Sequence, residues 1–358
     1  MRAVRLVDVA ERAGVSLATA SRVINGSRRR VPAEAISARV RIAADELGYL
    51  ANAQAQALAR STTGLIGIVV HDIADPYFSS IVRGAQRQAR DHRGQVLLAG
   101  TDRDADAELS AVSAFASYRT DAIILAGSRR RRIDPRLSQA LQRYVERDGR
   151  VVSFGRAVIP GARVVRIRNR EGARQLVTAL VERRIRNFVI LGGPPGLVTA
   201  ADRVAGFRSG LHSAGLAPLA VVKGEFTREG GHSSALQAWS ALPGSTGAGT
   251  CFLAVNDVMA QGAITALRSR GLSVPGDVGV AGFDDIPTLQ DYDPPLTTFR
   301  LPLQRIGEQA VALAMSLDEG SSVSIEGSVV LRESTDVGSL NGHAHRAAVA
   351  DGRALTRR

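Results

Sequence analysis

The sequence predicts an α/β protein in which a small all-α headpiece precedes a two-lobed, doubly wound parallel-sheet core. Apolar and small residues recur at helical spacing through the amino-terminal region. From Leu65 onward, short apolar runs alternate with amphipathic helical stretches, which is typical of parallel sheets covered on both faces. The alternation restarts after Gly161 and therefore indicates two lobes with a cleft between them.

Residues 8–26, DVAERAGVSLATASRVING, predict a helix-turn-helix. Gly14 suits the positive φ just past a helix end, and Ser16 can cap the amino end of the next helix. Two helices joined by a short glycine-containing turn can place the second helix in the DNA major groove. The alternative is an ordinary helical hairpin whose polar residues are only solvated.

The second helix, residues 17–25, carries groups suited to DNA. Leu17 and Ala18 in its first turn would offer apolar contacts to base edges, and Arg22 can read guanine or hold a phosphate. Short polar side chains suit phosphate oxygens. The predicted DNA-contacting residues of this element are Ser16, Leu17, Ala18, Thr19, Ser21, Arg22 and Asn25.

The charge distribution favours nucleic acid over a membrane as a partner. The net charge is +12, and residues 1–60 contain ten arginines against five carboxylates. The chain has no apolar stretch of about 18 residues and no signal-peptide pattern, so we expect a cytoplasmic protein. The single cysteine, Cys251, excludes a disulfide framework.

No catalytic constellation is visible in the sequence. The six histidines are scattered without an HExxH pattern, and there is no GxxxxGK[ST] phosphate loop. The glycine-rich run 192–196, GGPPG, contains two prolines, which lack a backbone N–H to offer a phosphate. We therefore predict that the protein is not an enzyme and has no metal site and no cofactor.

Two further segments complete the amino-terminal region. A third helix is predicted for residues 33–47, and the basic run 28–30 before it could lie along the phosphate backbone or be a solvated loop. Residues 52–60, NAQAQALAR, predict an alanine-rich helix of barely two turns, which is too short to be stable alone.

The alternation of strands and helices defines the predicted core. Its strands are 65–70, 95–99, 122–126, 151–154, 164–167, 187–191, 220–222, 251–254 and 278–282. Its helices are 76–93, 105–118, 136–148, 170–182, 200–214, 229–242 and 257–270. We assign the strands from residue 164 onward to the second lobe.

Side chains that follow the carboxyl ends of parallel strands line the crevice where such sheets bind small molecules. The candidates at these places are His71, Asp72, Asp102, Phe154, Asn256, Asp257, Asp284 and Asp285. Of these, we expect Asp257 to cap its helix rather than to contact a ligand.

Two sets of motifs carry a family resemblance. Residues 4–60 resemble the DNA-binding headpiece of the LacI/GalR repressor family through VDVAERAGVSLATASRVING and DELGYLANAQAQALA. Residues 64–335 resemble the effector-binding core shared by that family and periplasmic sugar-binding proteins, through DIADPYF (72–78), VNDVMAQGA (255–263) and VPGDVGVAGFDD (274–285). The departures are Ala51, where the family usually has proline, and a longer segment at 28–37.

The resemblance implies that residues 52–60 are a hinge helix, which orders when two subunits pair on operator DNA. Leu58 matches the family's wedge leucine, and Ala55 matches the small residue that sits flush in the minor groove. An inserted apolar wedge unstacks a base step and kinks the duplex. The alternative for Leu58 is a buried linker residue.

The resemblance also implies roles in the cleft. Arg203 matches the arginine that clamps the effector, Asp284 matches the pocket aspartate, and Asn256 matches a polar contact. Two phenylalanines match aromatic contacts, and two further residues are candidates by position. The predicted effector-binding set is His71, Phe78, Asp102, Arg203, Phe226, Asn256 and Asp284. The alternatives are core packing for the phenylalanines and an interlobe salt bridge for Arg203 and Asp284.

The predicted organisation has four parts. Residues 1–50 form the headpiece, 51–63 the hinge helix and linker, 64–337 the core for effector binding and dimerisation, and 338–358 a disordered basic tail. Family topology implies that the chain returns to the first lobe after Pro294, with a helix at 303–317. A last strand, at 324–330, would join the second lobe.

We therefore expect a sequence-specific transcriptional regulator, in particular a repressor, that acts as a homodimer on double-stranded operator DNA. A small effector such as a sugar would control its affinity. Relatives usually have aspartate at the positions of Gly155 and Arg168, so the neighbouring Arg156 and Arg168 itself would make the cleft basic. An anionic effector (a carboxylate or phosphate), a solute-binding protein and an enzyme with a helix-turn-helix are the alternatives. Dimer and tetramer both stay open.

Overall fold

A computed structural model describes residues 4–25, 32–49, 62–242, 249–316, 318 and 320–336. The chain divides into two compact units, one of residues 1–65 with 119–121 and one of the remaining residues. Three predicted features lie outside the described residues: the basic run 28–30, the hinge helix with Ala55 and Leu58, and the tail 338–358.

The first unit contains the predicted helix-turn-helix, with α1 at Leu6–Ala13, α2 at Leu17–Asn25 and α3 at Glu34–Leu47. Gly14 ends α1 with a φ of 64°, as predicted, and the N–H of Val15 donates to the Ala10 carbonyl at 3.0 Å. The side chain of Ala20 is fully buried, so α2 can cross close to the other helices. The small core of this unit consists of Val9, Ala10, Ala13, Ala20, Val40, Ala43 and Ala44.

The second unit contains two sheets, each with helices between its strands. The first sheet has β1 at Leu65–Val70, β2 at Gln95–Gly100, β3 at Ala122–Leu125, β4 at Arg150–Phe154 and β5 at Arg163–Ile167. Its connecting helices are α4 at Pro76–Asp91, α5 at Ala105–Ser117 and α6 at Pro135–Val145. The β1–β3, β3–β4 and β4–β5 pairs are parallel, and β3 is buried along its whole length.

The second sheet has the order β7-β6-β8-β9, and all three of its strand pairs are parallel. Its strands are β6 at Asn187–Gly192, β7 at Ala220–Lys223, β8 at Thr250–Ala254 and β9 at Gly279–Ala281. The helices of this lobe are α7 at Asn169–Glu182, α8 at Val198–Ser213, α9 at Arg228–Ala241 and α10 at Asp257–Ser269. The predicted strands and helices between residues 65 and 282 are all present, with ends that differ by at most three residues.

After β9 the chain returns to the first lobe through β10 at Thr298–Arg300 and α11 at Leu303–Met315, as predicted. Helices α11 and α4 cross so closely that a Cβ atom added to Gly84 would collide with the Gln304 carbonyl oxygen. The same contact occurs in reverse, since a Cβ atom on Gly307 would lie 1.9 Å from the Ile81 carbonyl oxygen. Glycine is thus required on both helices at this crossing.

Two strand assignments from the sequence are wrong. Strand β5 belongs to the first sheet, not the second, because it pairs with β4. The predicted last strand, 324–330, is two strands, β11 at Ser322–Ile325 and β12 at Ser328–Val330. Strand β11 completes the first sheet, in the order β11-β5-β4-β3-β1-β2, while β12 pairs antiparallel with β10. Alternation along the chain locates strands but does not say which sheet each one joins.

Among the helices in the described part of the chain, none combines the length and the apolar character needed to cross a membrane.

Candidate ligand cavity and DNA-binding helix

Helix α2 presents the first-turn residues that the sequence predicts to read DNA. Ser16 caps the helix, because its Oγ accepts a hydrogen bond from the backbone N–H of Thr19 at 3.2 Å. Leu17 is 51% exposed, which is unusual for a large apolar side chain, and Ala18 is also exposed. The fully buried Ala20 packs α2 into the core of this unit. In the described part of this unit, the first turn of α2 is therefore exposed and can contact a partner.

The polar side chains of α2 are partly engaged within the helix. The Thr19 and Ser16 hydroxyls lie 2.9 Å apart, and Asn25 Nδ2 donates to Ser21 Oγ at 3.0 Å. Arg22 is half-buried. Phosphate contacts by Thr19, Ser21 and Asn25 stay predictions. Each of these side chains would have to exchange or share a local hydrogen bond in order to contact a phosphate.

A cavity lies between the two lobes of the second unit, where the carboxyl ends of their strands meet. The space between its walls, counted together with the open solvent at its mouth, is about 570 Å³. Its lining residues are His71, Asp75, Tyr77, Phe78, Arg103, Ala126, Gly127, Ser128, Phe154, Gly155, Ile167, Asn169, Thr199, Arg203, Phe226, Asn256 and Asp284. Six of the seven predicted effector-binding residues are brought together here.

The guanidinium of Arg203, on α8, is held on three sides. Its Nε donates to Asn169 Oδ1 at 2.9 Å, its Nη1 to the Val255 carbonyl at 2.7 Å and its Nη2 to Asp284 Oδ1 at 2.8 Å. Its Cζ also lies 3.9 Å from the centre of the Phe283 ring. The Arg203–Asp284 salt bridge is present, but both residues come from the second lobe. It is therefore not the salt bridge between the lobes that was considered from sequence.

Asp284 is buried opposite Arg203. Burial raises the pKa of Asp284 above its ordinary value, and the Arg203 guanidinium opposes that rise. Asp284 and the next residue, Asp285, adopt φ values of 124° and 58°, which L residues other than glycine rarely take. Asp285 is held by an ion pair from Arg300 Nε at 2.6 Å. Strained backbone of this kind concentrates at ligand-binding sites.

The cap of α10 differs from the one predicted. Asn256, not Asp257, is the capping residue, because its Oδ1 accepts a hydrogen bond from the Met259 N–H at 3.0 Å. Asp257 instead accepts from the Ile286 N–H and the Thr298 hydroxyl. Asn256 lines the cavity all the same, so its amide nitrogen is the part available for a ligand.

His71 forms part of the first-lobe wall, beside Phe78, whose ring lies edge-on at 6.0 Å. Its Nε2 lies 3.1 Å from the Ser128 carbonyl oxygen, which can only accept, so Nε2 carries the proton. Burial and the nearby Arg129 lower the pKa of His71 to about 3, so the ring is neutral. Its Nδ1 is a buried acceptor without a hydrogen-bond partner among the described residues.

Asp102 is the predicted site residue that does not reach the cavity. Its side chain is exposed, and the next residue, Arg103, lines the cavity instead, with its Cζ 5.6 Å from the centre of the Phe226 ring. Both residues have positive φ, and this turn decides which side chain faces inward. The sequence contains no signal for that turn. The prediction from strand ends also did not include five other residues that line the cavity, namely Asp75, Tyr77, Ser128, Asn169 and Thr199.

The arginines that suggested a basic cleft point elsewhere. Arg156 Nη1 donates to the Arg131 carbonyl at 2.9 Å, and Arg168 is exposed, with its Nε bonded to Ser324 Oγ at 3.1 Å. Neither is among the residues that line the cavity. The cavity itself carries two arginines and two aspartates, so the basis for predicting an anionic ligand is removed.

Two backbone hydrogen bonds join the lobes beside the cavity. The N–H of Val198 donates to the Arg129 carbonyl, and the N–H of Arg131 donates to the Gly196 carbonyl, each at 3.0 Å. The loop after β3 and the loop after β6 thus pair like two short antiparallel strands. We call this pairing of residues 129–131 with 196–198 the interlobe bridge.

Within the described ranges, no group of three or more histidine, cysteine, aspartate or glutamate side chains could hold a metal ion.

Comparison with known proteins relates both units to one family. Residues 5–52 match the lacI family of bacterial regulatory proteins, and residues 177–335 match the periplasmic binding protein-like domain. The transcriptional regulator GalS of Salmonella typhimurium is 32% identical over 314 residues, covering 86% of this chain and 88% of that protein. The transcriptional repressor CytR of Escherichia coli is 31% identical over 323 residues, covering 90% of this chain and 92% of that protein.

Solved structures agree with these relatives. The lac repressor dimer bound to operator and the anti-inducer ONPF has a TM-score of 0.76 at 26% identity, covering 93% of this chain and 99% of that one. The transcriptional regulator CelR in complex with cellobiose has a TM-score of 0.66 at 28% identity, covering 92% of this chain and 99% of that one. These relatives are regulators, not enzymes or transport proteins.

Proposed function

The chain belongs to the LacI family of bacterial regulatory proteins and is a helix-turn-helix transcriptional regulator, and from that premise we propose a specific mode of action. It represses transcription as a homodimer on a two-fold symmetric operator. A neutral, hydroxyl-rich effector such as a sugar binds in the interlobe cavity and changes operator affinity. The protein has no catalytic activity and works in the cytoplasm, where a DNA-binding regulator meets its operator.

The observation that carries this proposal is the presence of two recognition surfaces in one chain. The exposed first turn of α2, with Leu17 and Ala18, suits base edges in the major groove. The interlobe cavity offers a fixed Arg203–Asp284 pair beside aromatic rings. A planar ring stacks on the face of a sugar, while a paired donor and acceptor suit neighbouring hydroxyls.

The charges in the cavity favour a neutral effector over an anionic one. Arg103 and Arg203 line the cavity together with Asp75 and Asp284, and Arg203 already has a carboxyl partner in Asp284. His71 adds a neutral acceptor at Nδ1, which can pair with a hydroxyl donor but not with an ionised carboxylate. CelR, a relative of this chain, was solved with cellobiose, which is a neutral sugar.

We propose the following role for each segment of the chain, as the sequence suggests. Residues 1–50 read the operator, 51–63 form the hinge and linker, 64–337 bind effector and dimerise, and 338–358 form a basic tail. Ala55 and Leu58 would enter the minor groove from the paired hinge helices. Effector binding would change the angle between the lobes, and with it the separation of the two hinge helices.

Selection from random double-stranded DNA, followed by footprinting, tests the DNA-binding part. We expect a near-palindrome of two half-sites, because the symmetry of a dimer is mirrored in its site. The variant Leu17→Glu is a matched control: it places a carboxylate on an exposed surface and should select nothing without losing thermal stability. A single asymmetric half-site, or no enrichment by the wild-type protein, contradicts the proposal.

Calorimetric titration tests the effector class. D-glucose, D-galactose, D-ribose and cellobiose are compared with D-gluconate and D-glucose 6-phosphate, which add a negative charge. Binding among the neutral sugars supports the proposal. Binding of the anions alone contradicts it.

A further inference from the structure

Asp121 lies immediately before β3 and holds the backbone of the segment that enters β1. Its Oδ1 accepts hydrogen bonds from the Thr63 N–H at 2.8 Å and from the Thr63 hydroxyl at 3.0 Å. Its Oδ2 accepts from the Gly64 N–H at 2.8 Å. The backbone adds a fourth contact, since the Asp121 N–H donates to the Leu65 carbonyl at 2.8 Å.

The hydrogen bonds of this cluster are charge-assisted, because their acceptor is the Asp121 carboxylate. A carboxylate that accepts from two successive backbone N–H groups forms charge-assisted bonds, which are roughly twice as strong as neutral ones. The single hydrogen of the Thr63 hydroxyl is shared between Asp121 Oδ1 and the Arg119 carbonyl oxygen, which lies 2.9 Å away, and the hydroxyl oxygen accepts from the Leu65 N–H at 3.2 Å. The position and direction of the backbone at residues 63 and 64 are therefore fixed against the start of β3.

The place of the cluster in the chain gives it a functional meaning. Thr63 is the last residue of the predicted hinge and linker, 51–63, which connects to the DNA-binding helices. Any polypeptide that leaves the core toward DNA must start from this point. If residues 52–60 form the predicted hinge helix, fixing Thr63 fixes the point from which that helix extends.

The same two strands run from this cluster to the ligand cavity. Strands β1 and β3 are parallel neighbours, aligned from Ile66 opposite Ala122 to Val69 opposite Leu125. At their carboxyl ends, His71 follows β1 and the cavity-lining residues Ala126, Gly127 and Ser128 follow β3. At about 3.3 Å per residue, β1 is about 20 Å long and the shorter β3 is about 13 Å long. Core strands that are buried and joined by backbone hydrogen bonds open locally only at a high free-energy cost.

We propose that Asp121 is a positioning residue, which clamps the base of each hinge to β3 so that displacement of the cavity wall is passed to the DNA-binding segments. The proposal rests on the function proposed above. Without the clamp, the paired strands still carry the displacement, but residues 63 and 64 no longer follow it. Asp121 touches neither DNA nor effector in this role.

Three variants separate this role from a purely structural one. Asp121→Asn keeps the shape of the side chain but replaces one acceptor oxygen by an amide that cannot accept an N–H bond. Thr63→Val removes the hydroxyl and leaves both backbone N–H contacts in place. Asp104→Asn is the matched control, because Asp104 caps α5 in the same lobe by accepting the Ala107 N–H at 2.7 Å.

The probe is the operator selected by the wild-type protein, together with versions in which one or two base pairs are inserted between the half-sites. The wild-type protein should lose affinity steeply when the spacing changes, because a dimer with fixed hinge origins matches one spacing. Asp121→Asn should bind the selected operator about ten-fold more weakly and discriminate little between spacings. Thr63→Val should show a smaller loss in the same direction, and Asp104→Asn should behave like the wild-type protein.

The outcomes are distinguishable. If the wild-type protein selects an operator and Asp121→Asn retains both its affinity and its spacing preference, the clamp is wrong. The clamp is also wrong if Asp104→Asn loses spacing preference equally, since the cause is then general destabilisation, which melting curves report. Failure of the wild-type protein to select any DNA overturns the proposed function, and the clamp with it.

Discussion

Arg203 donates a hydrogen bond from Nη2 to Oδ1 of Asp284 at 2.8 Å, and both side chains are buried. The guanidinium has five N–H donors, and three of its bonds go to protein acceptors. Two of its five N–H groups take no part in these three bonds, and Arg203 lines the cavity. The pair can hold the second lobe together and bind a ligand at the same time, so a salt bridge within the lobe does not exclude the effector-binding role predicted from sequence.

Removing either partner should affect both stability and effector binding. Arg203→Ala leaves a buried carboxylate unpaired, and Asp284→Ala leaves a buried guanidinium unpaired, at a cost of about 3–5 kcal/mol each. Effector affinity should fall in both variants, while operator binding by the folded protein should persist. Chemical denaturation and calorimetric titration measure the two effects.

The matched control for this prediction is Arg136→Ala. Arg136 pairs with Asp106 and Asp134 at an exposed position, where loss of an ion pair has little effect on stability. The Arg203 and Asp284 variants could instead be as stable as Arg136→Ala and bind effector at wild-type affinity. That result would contradict both the stabilising role and the effector-binding role of the pair.

The buried carboxyl of Asp257 should make stability fall as pH rises. Burial raises its pKa from 3.8 to about 6 in the folded protein. Below pH 3.8 the group is protonated in both states; above it, the unfolded chain ionises first, so the free energy of unfolding falls until about pH 6. The difference amounts to about 3 kcal/mol at full ionisation.

Asp257→Asn isolates this contribution, because the amide does not titrate in this range. Urea unfolding between about pH 4 and 8 should show the wild-type protein losing stability relative to the variant as pH rises. Parallel pH curves for the two proteins would mean that Asp257 keeps an ordinary pKa.

His71 should stay neutral, with its proton on Nε2, between about pH 5 and 8. Its pKa is lowered from 6.5 to about 3, first by burial and then by Arg129. The unfolded chain binds this proton near pH 6.5, so the contribution of His71 to stability is lost as pH falls below that value. Nitrogen-15 shifts of the imidazole report both the tautomer and the protonation state. A titration midpoint near pH 6.5 would show that the pKa of His71 is not lowered.

The fold was largely predictable because the sequence pattern is local. Apolar runs such as 65–70 and 187–191 identify buried strands, and Gly14 with Ser16 identifies the turn of the helix-turn-helix. Sheet membership is not local. Strand β5 precedes the second lobe in the chain but pairs with β4, and β11 reaches the first sheet from the far end of the sequence. Backbone hydrogen bonding decides such pairings.

The cavity was predictable where a side chain follows a strand in a fixed direction. His71, Asn256 and Asp284 are of this kind, and all three line the cavity. Asp102 was misplaced because two successive residues with positive φ turn Arg103 inward. Arg156 and Arg168 were misplaced because proximity in sequence to a strand end says nothing about which partner a long side chain finds.

The role of Arg22 can be read from how its loss depends on DNA sequence. If Arg22 reads a base, Arg22→Ala should weaken operator binding by about 1–3 kcal/mol and leave random DNA nearly unaffected. Gel-shift titrations on the selected operator and on a scrambled fragment measure this ratio. Equal loss on both fragments would reassign Arg22 to a phosphate contact, a role compatible with its half-buried side chain.

The interlobe bridge should control how fast an effector leaves the cavity. The Val198 N–H donates to the Arg129 carbonyl across the lobes, and Val198 is the first residue of α8. Proline is well tolerated at the first position of a helix, and it removes only the N–H. Leu197, which precedes it, has a ψ of 126° and is already in the extended conformation that a following proline requires. Val198→Pro therefore deletes one interlobe bond with little other change.

One neutral hydrogen bond contributes about 0.5–1.5 kcal/mol, so effector dissociation from Val198→Pro should be about two- to ten-fold faster. Stopped-flow displacement of a bound sugar measures this rate. Ala105→Pro is the matched control, because residue 105 begins α5 after the extended Asp104 and lies in one lobe only. Dissociation rates that are equal in the two proline variants would show that the bridge does not limit release. A faster rate in Val198→Pro alone, with unchanged melting temperature, would establish that opening of the lobes precedes effector release.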